Sequence, residues 1–169
     1  MPIASILKII GELALAAFLG GLIGLERYYA RKEAGLRTFA LVSLGSALFI
    51  ILNQEAVAPY SPGTSFDPSR VLSQIILGIG FIGAGVIILR RGRVTGLTTA
   101  SSLWVVAGIG AAVGLDLYWL AIFVSVLTII ILSLLYPIEQ RLASLKDKFL
   151  SKEEKKEERE EEKEEEKEE

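Results

Sequence analysis

Five apolar stretches run along this chain, and the polar segments between them alternate between arginine-rich and arginine-poor. A membrane helix needs about 20 mostly apolar residues, with roughly 17 to 25 tolerated. The pattern therefore predicts helices over Ile3–Leu25, Leu36–Leu52, Val71–Leu89, Leu97–Val113 and Leu117–Tyr136. Between the first two lies ERYYARKEAGLR, with Arg27, Arg31, Lys32 and Arg37; between the third and fourth lies RRGRVTG, with Arg90, Arg91 and Arg93. The other connections, Asn53–Arg70 and Gly114–Asp116, share one basic residue, Arg70. Lys/Arg-rich loops stay in the cytoplasm. The expectation is an all-α, polytopic bundle of five transmembrane helices in the cytoplasmic membrane, N-terminus outside and C-terminus cytoplasmic. Arg141, Lys146 and Lys148 after the last helix agree with that orientation, as do Tyr28, Tyr29 and Tyr136 at the inner interface and Tyr60, Phe66, Tyr118 and Trp119 at the outer one.

Composition divides the chain into three parts. Residues 1–136 form the membrane domain, 137–150 an amphipathic interfacial helix, and 151–169 a Glu/Lys-rich tail. In the second part Ile138, Leu142, Leu145 and Phe149 recur at helical spacing opposite Glu139, Lys146 and Lys148, a pattern able to lie on the inner membrane surface. The tail has no apolar residue with which to bury a core, so it is disordered or a solvated helix held by Glu/Lys pairs four apart. Mean hydropathy is +0.48 even with the tail included, and the overall charge of −2 conceals a basic body and an acidic tail. The first segment lacks a basic leader and carries Lys8 and Glu12, so it is expected to be retained rather than cleaved.

With neither cysteine nor histidine present, disulfides, thiolate chemistry, imidazole bases and the usual zinc ligands are excluded. Any metal would be a hard, oxygen-loving cation with no ligand set assigned by the sequence. Nothing implies a cofactor, and no basic stripe remains for nucleic acid once the loops are given to the membrane surface. No nucleophile stands beside a base, so the chain is not read as an enzyme.

Polar residues inside membrane segments are the candidates for function. In the third segment Asp67 and Pro68 read as an N-cap and first helical residue, after which Arg70, Gln74 and Gly78 fall at four-residue steps on one face. Gly78, Gly80 and Gly83 spell GxGxxG, but that fingerprint requires a preceding strand, so a dinucleotide site is rejected. Two readings stay open for these glycines and for Gly85: close helix packing, or an unwound helix whose carbonyls line a cavity. Gly20 and Gly24 in the first helix are packing candidates as well. At the start of the fourth helix the hydroxyls of Thr98, Thr99, Ser101 and Ser102 either satisfy nearby backbone or form a polar vestibule beside Arg93. Glu26 and Arg27 close the first helix while Arg37 and Thr38 open the second, with Glu26 expected to pair with Arg37. Glu12 lies about midway along its helix with Lys8 one turn away, and is expected to be paired or protonated; a proton or cation site is the alternative.

GLIGLERYYARKEAGLRT, DPSR, QIILGIGFIGAG and GLTTASSLW, in that order from about Gly20 to Trp104, resemble the successive signatures of the MgtC/SapB family of bacterial and archaeal membrane proteins. The resemblance implies a polar signature at Glu26, Arg27, Arg37, Thr38, Asp67, Arg70, Gln74, Thr98 and Thr99, beside which Ser102 joins the hydroxyl group. It implies a part in magnesium or cation homeostasis, by transport or by modulating other membrane machinery. The cytoplasmic C-terminal domain of larger members has no counterpart here beyond the amphipathic stretch and tail. Two other functions compete: an adaptor that binds a membrane complex with no transport of its own, and a carrier of an anionic or lipid-like ligand. Glycine-rich helix faces add the expectation of a homo-oligomer.

Overall fold

A computed structural model describes residues 2–57, 69–90, 93–138 and 140–142. The helices are α1 (Ile3–Tyr29), α2 (Leu36–Val57), α3 (Ser69–Val86) and α4 (Leu97–Gly114), followed by α5 (Tyr118–Leu142). All five are long and apolar enough to cross a membrane. The expected Asp67–Pro68 cap, Tyr60, Phe66, Arg91, the distal part of the amphipathic stretch and the tail lie outside the described residues. Residues 1–130 form one compact unit; the second, 131–169, is described only for the last turns of α5.

The core is built by α1, α2 and α4. α4 is apolar nearly all round, and such a helix belongs inside a bundle; Leu103, Val106, Ile109 and Val113 are all buried. Glycines set how closely these helices approach. A methyl group at Gly20 would lie 2.6 Å from the Phe39 carbonyl oxygen, one at Gly24 2.7 Å from Leu36 Cα, and one at Gly110 2.0 Å from the Ser43 carbonyl oxygen. Gly20 and Gly24 thus pack against a neighbouring backbone, as do Gly110 and Gly114 on α4.

α3 is different. It rests mainly on α4, touches α2 only lightly, and buries just Ile79 and Gly83. The helix is continuous through its glycines, so the unwound reading fails. Within this chain Gly83 approaches Ala100 Cβ at 3.6 Å, whereas Gly78, Gly80 and Gly85 have open space where a side chain would sit.

The third helix stops at Val86 rather than Leu89, because Ile88–Arg90 and Arg93–Thr95 pair as an antiparallel two-stranded hairpin. Two short apolar, β-branched runs separated by a two-residue Arg-Gly link have hairpin grammar, which hydropathy alone reads as the tail of a helix. Gly96 (φ +87°) then turns the chain into α4, and a side chain there would collide with the Val86 carbonyl 2.2 Å away. At the other end of the chain α5 continues through Pro137 to Leu142, past the expected stop at Tyr136. Within it Ala121, Ser125, Thr128 and Leu132 are buried at helical spacing, and Ser125 and Thr128 return their hydroxyls to the carbonyls of Ala121 and Val124.

Candidate functional site

Both arginine-rich connections lie at one end of the bundle, joined by a hydrogen bond from Thr99 Oγ1 on α4 to Glu33 Oε2 in the α1–α2 connection, 2.8 Å long. This is the arginine end. Here Arg27, at 2% exposure, is among the largest fully buried side chains. Its guanidinium forks onto the carboxylate of the adjacent Glu26: Nε donates to Oε2, and Nη2 donates to Oε1 at 2.6 Å. The expected Glu26–Arg37 pair is not formed. Arg37 lies exposed on the first turn of α2 with no ion-pair partner among the described residues.

The α4 hydroxyls divide. Ser101 donates to the Leu97 carbonyl at 2.9 Å and buried Ser102 to the Thr99 carbonyl at 2.9 Å, so both satisfy local backbone. Thr98 is exposed, whereas Thr99 is 1% exposed and spends its hydroxyl on Glu33. Residue types alone give little warning of Glu33; the signal is a lone carboxylate between two basic residues and the start of α2.

Between α2 and α3 runs a groove of 710 Å³. Its α2 wall is Arg37, Thr38, Leu41, Val42, Gly45, Ser46 and Phe49; its α3 wall includes Val71, Gln74, Ile75, Gly78 and Ile82. The helices run antiparallel, so Arg37 and Thr38 sit at the arginine end and Gln74 toward the other. Open space at Gly78 and Gly45 widens the slot, and exposed Leu41 and Phe49 line its mouth. The expected α3 face is therefore half right. Gln74 and Gly78 line the groove, but Arg70 is exposed outside it, its carbonyl capped by the Ser73 hydroxyl at 2.7 Å.

A second polar centre occupies the end of the bundle opposite the arginines. Lys8 Nζ is 2.8 Å from Asp116 Oδ1 and 3.3 Å from Glu12 Oε1. The Tyr118 hydroxyl lies 2.6 Å from Glu12 Oε1 and also contacts Asp116 Oδ1. Glu12, about midway along α1, is thus level with the α4–α5 turn. The Lys8 ammonium, and then the Tyr118 hydroxyl, hold the Asp116 carboxyl below its ordinary value. No group of three or more carboxylates close enough to hold a metal ion occurs among the described residues.

Comparison with known proteins is consistent along the chain. The profile described as "MgtC family" matches residues 13–141. The chain belongs to the MgtC family. It is 43% identical over 133 residues to the Escherichia coli K12 protein named "Putative magnesium transporter YhiD", covering 78% of this chain and 62% of that one. It is 43% identical over 134 residues to "Protein MgtC" of Salmonella typhimurium, covering 79% and 55% respectively, and 38% identical over 130 residues to "Protein SrpB" of Synechococcus elongatus, covering 72% and 71%. The chain thus spans between about half and three-quarters of the length of these MgtC-family relatives. No solved structure matches it.

Proposed function

We propose that this chain is a non-enzymatic membrane protein of magnesium homeostasis and that it works by seating a membrane helix of another protein in the α2–α3 groove, adjusting that partner rather than conducting the ion. The names of its relatives support the link to magnesium. The chemistry of the groove carries the choice of mechanism. Magnesium gives up its water reluctantly and is bound through oxygen ligands, usually with carboxylates among them, yet the groove offers one guanidinium, a few hydroxyls and an amide among aliphatic walls. Those walls suit a helix: small residues admit a close backbone, and Gln74 and Ser46 supply interhelical hydrogen bonds, worth about 0.6 kcal/mol on average in a membrane. Arg37, at the open end, complements a partner's acidic terminus.

Gly78 allows a direct test. Gly78→Leu adds bulk inside the slot from a position where an added Cβ meets nothing within 4 Å, while Gly80→Leu adds the same bulk to α3 outside the groove. In a host dependent on this protein for growth at low magnesium, Gly80→Leu is expected to support growth and Gly78→Leu to fail at equal membrane abundance. Equal growth of the two would refute a groove-based function. Transport is the second reading, favoured by the name of the Escherichia coli relative.

A further inference from the structure

α3 has an opening on each side. One is the groove against α2; the other is a 430 Å³ cleft between α3 and the α4–α5 pair, lined by Leu72 and Ile76 on α3, Gly108 on α4, and Leu120 and Val124 on α5. Ile75 and Ile79 on α3 and Ala107 on α4 line both, so a single ridge separates the two openings. The two halves of α3 are also held differently. Between Ser69 and Gly78 no residue is buried, and both buried residues, Ile79 and Gly83, lie in the half that leads to the hairpin. That half is fixed to α4. Gly83 approaches Ala100 Cβ at 3.6 Å, Ile88 pairs with Thr95, the Thr95 hydroxyl donates to the Ile88 carbonyl at 3.2 Å, and Gly96 brings the start of α4 against the Val86 carbonyl.

In the far half Ser73 spends its hydroxyl on its own helix, and the flanks are open on both sides. Lipid tails are as apolar as leucine, so membrane helices are held together by close packing and hydrogen bonds rather than by the hydrophobic effect. A stretch with few buried contacts therefore has low local stability. We propose that α3 is a lever, hinged where Gly83 meets Ala100, whose far half swings between α2 and α5. Swung toward α5 it widens the groove and closes the cleft; swung toward α2 it does the reverse. Whatever fills the cleft narrows the groove, so the cleft regulates docking. As regulation this rests on the reading of the groove as a docking slot; as a motion it stands apart from that reading.

The chain has no cysteine of its own, so pairs of spin labels on introduced cysteines can measure the swing in lipid nanodiscs. Leu52→Cys with Ser73→Cys reports the far half and Leu36→Cys with Ala84→Cys the hinged half; all four positions are exposed and none lines either opening. The far pair is expected to give the broader distance distribution. Gly108→Leu adds bulk to the cleft from a position where an added Cβ meets nothing within 4 Å, and should shift the far pair to shorter distances while leaving the hinged pair unchanged. Equal widths for the two pairs, or a far pair unmoved by Gly108→Leu while the hinged pair keeps its distance, would overturn the lever. The comparison of widths needs no change in the cleft, so it decides even where Gly108→Leu disturbs the bundle. A swing without the growth contrast between Gly78→Leu and Gly80→Leu keeps the motion and removes its role in docking; that contrast without a swing leaves docking in a rigid groove.

Discussion

Arg27 and Glu26 show how a charge can be buried in a membrane bundle. Neighbouring positions on a helix do not face each other, which is why sequence reasoning sends Glu26 across to Arg37. Hydropathy gives a residue's depth but not its direction around the helix axis. Arg27 points inward, and only a long, forked side chain bent back on its own helix brings two donors to the adjacent carboxylate. The consequence is measurable. Glu26→Gln strands a buried guanidinium, and breaking such a pair from one side costs about 3 to 5 kcal/mol. Denaturant unfolding in detergent should register a loss of that order, whereas Arg37→Gln, at an exposed position without an ion-pair partner among the described residues, should change stability little.

At the level of elements, the existence of each helix was legible in the apolar stretches, but not the inequality among them. α4 and α3 have similar lengths and similar apolar content, yet one is the centre of the bundle and the other clings to its side. The difference lies in which glycines meet a backbone. Gly110 sits 2.0 Å, by its missing methyl, from the Ser43 carbonyl, while the conspicuous GxGxxG glycines of α3 mostly face open space. Gly110→Ala is therefore expected to force α4 off α2 and cost about 1 to 3 kcal/mol, the usual range for overpacking. Gly108→Ala on the same helix meets nothing within 4 Å and should be neutral or slightly stabilising. Paired unfolding curves would check the contrast. The hairpin between α3 and α4 was hidden for a related reason: Ile87 and Ile88 read equally well as helix or strand, and a short apolar run cannot be assigned by periodicity alone.

For the whole molecule, the alternation of basic and non-basic connections anticipated that ERYYARKEAGLR and RRGRVTG share one end, and the Thr99–Glu33 hydrogen bond joins them there. What sequence could not give was the division of polar residues into three places: a buried ion pair, a groove and an opposite-end cluster. The opposite-end cluster in particular depends on contacts between segments about 100 residues apart, such as Lys8 with Asp116. Among the described residues the division also separates the carboxylates from the groove, and the proposed mechanism rests on that separation. The most direct measurement is magnesium entry into proteoliposomes containing the purified wild-type chain, under an inward magnesium gradient with and without a membrane potential. A protein that acts by seating a partner helix should admit no more magnesium than protein-free vesicles. Saturable uptake above that background, abolished by Gly78→Leu and kept by Gly80→Leu, would contradict the account and make the groove a transport path.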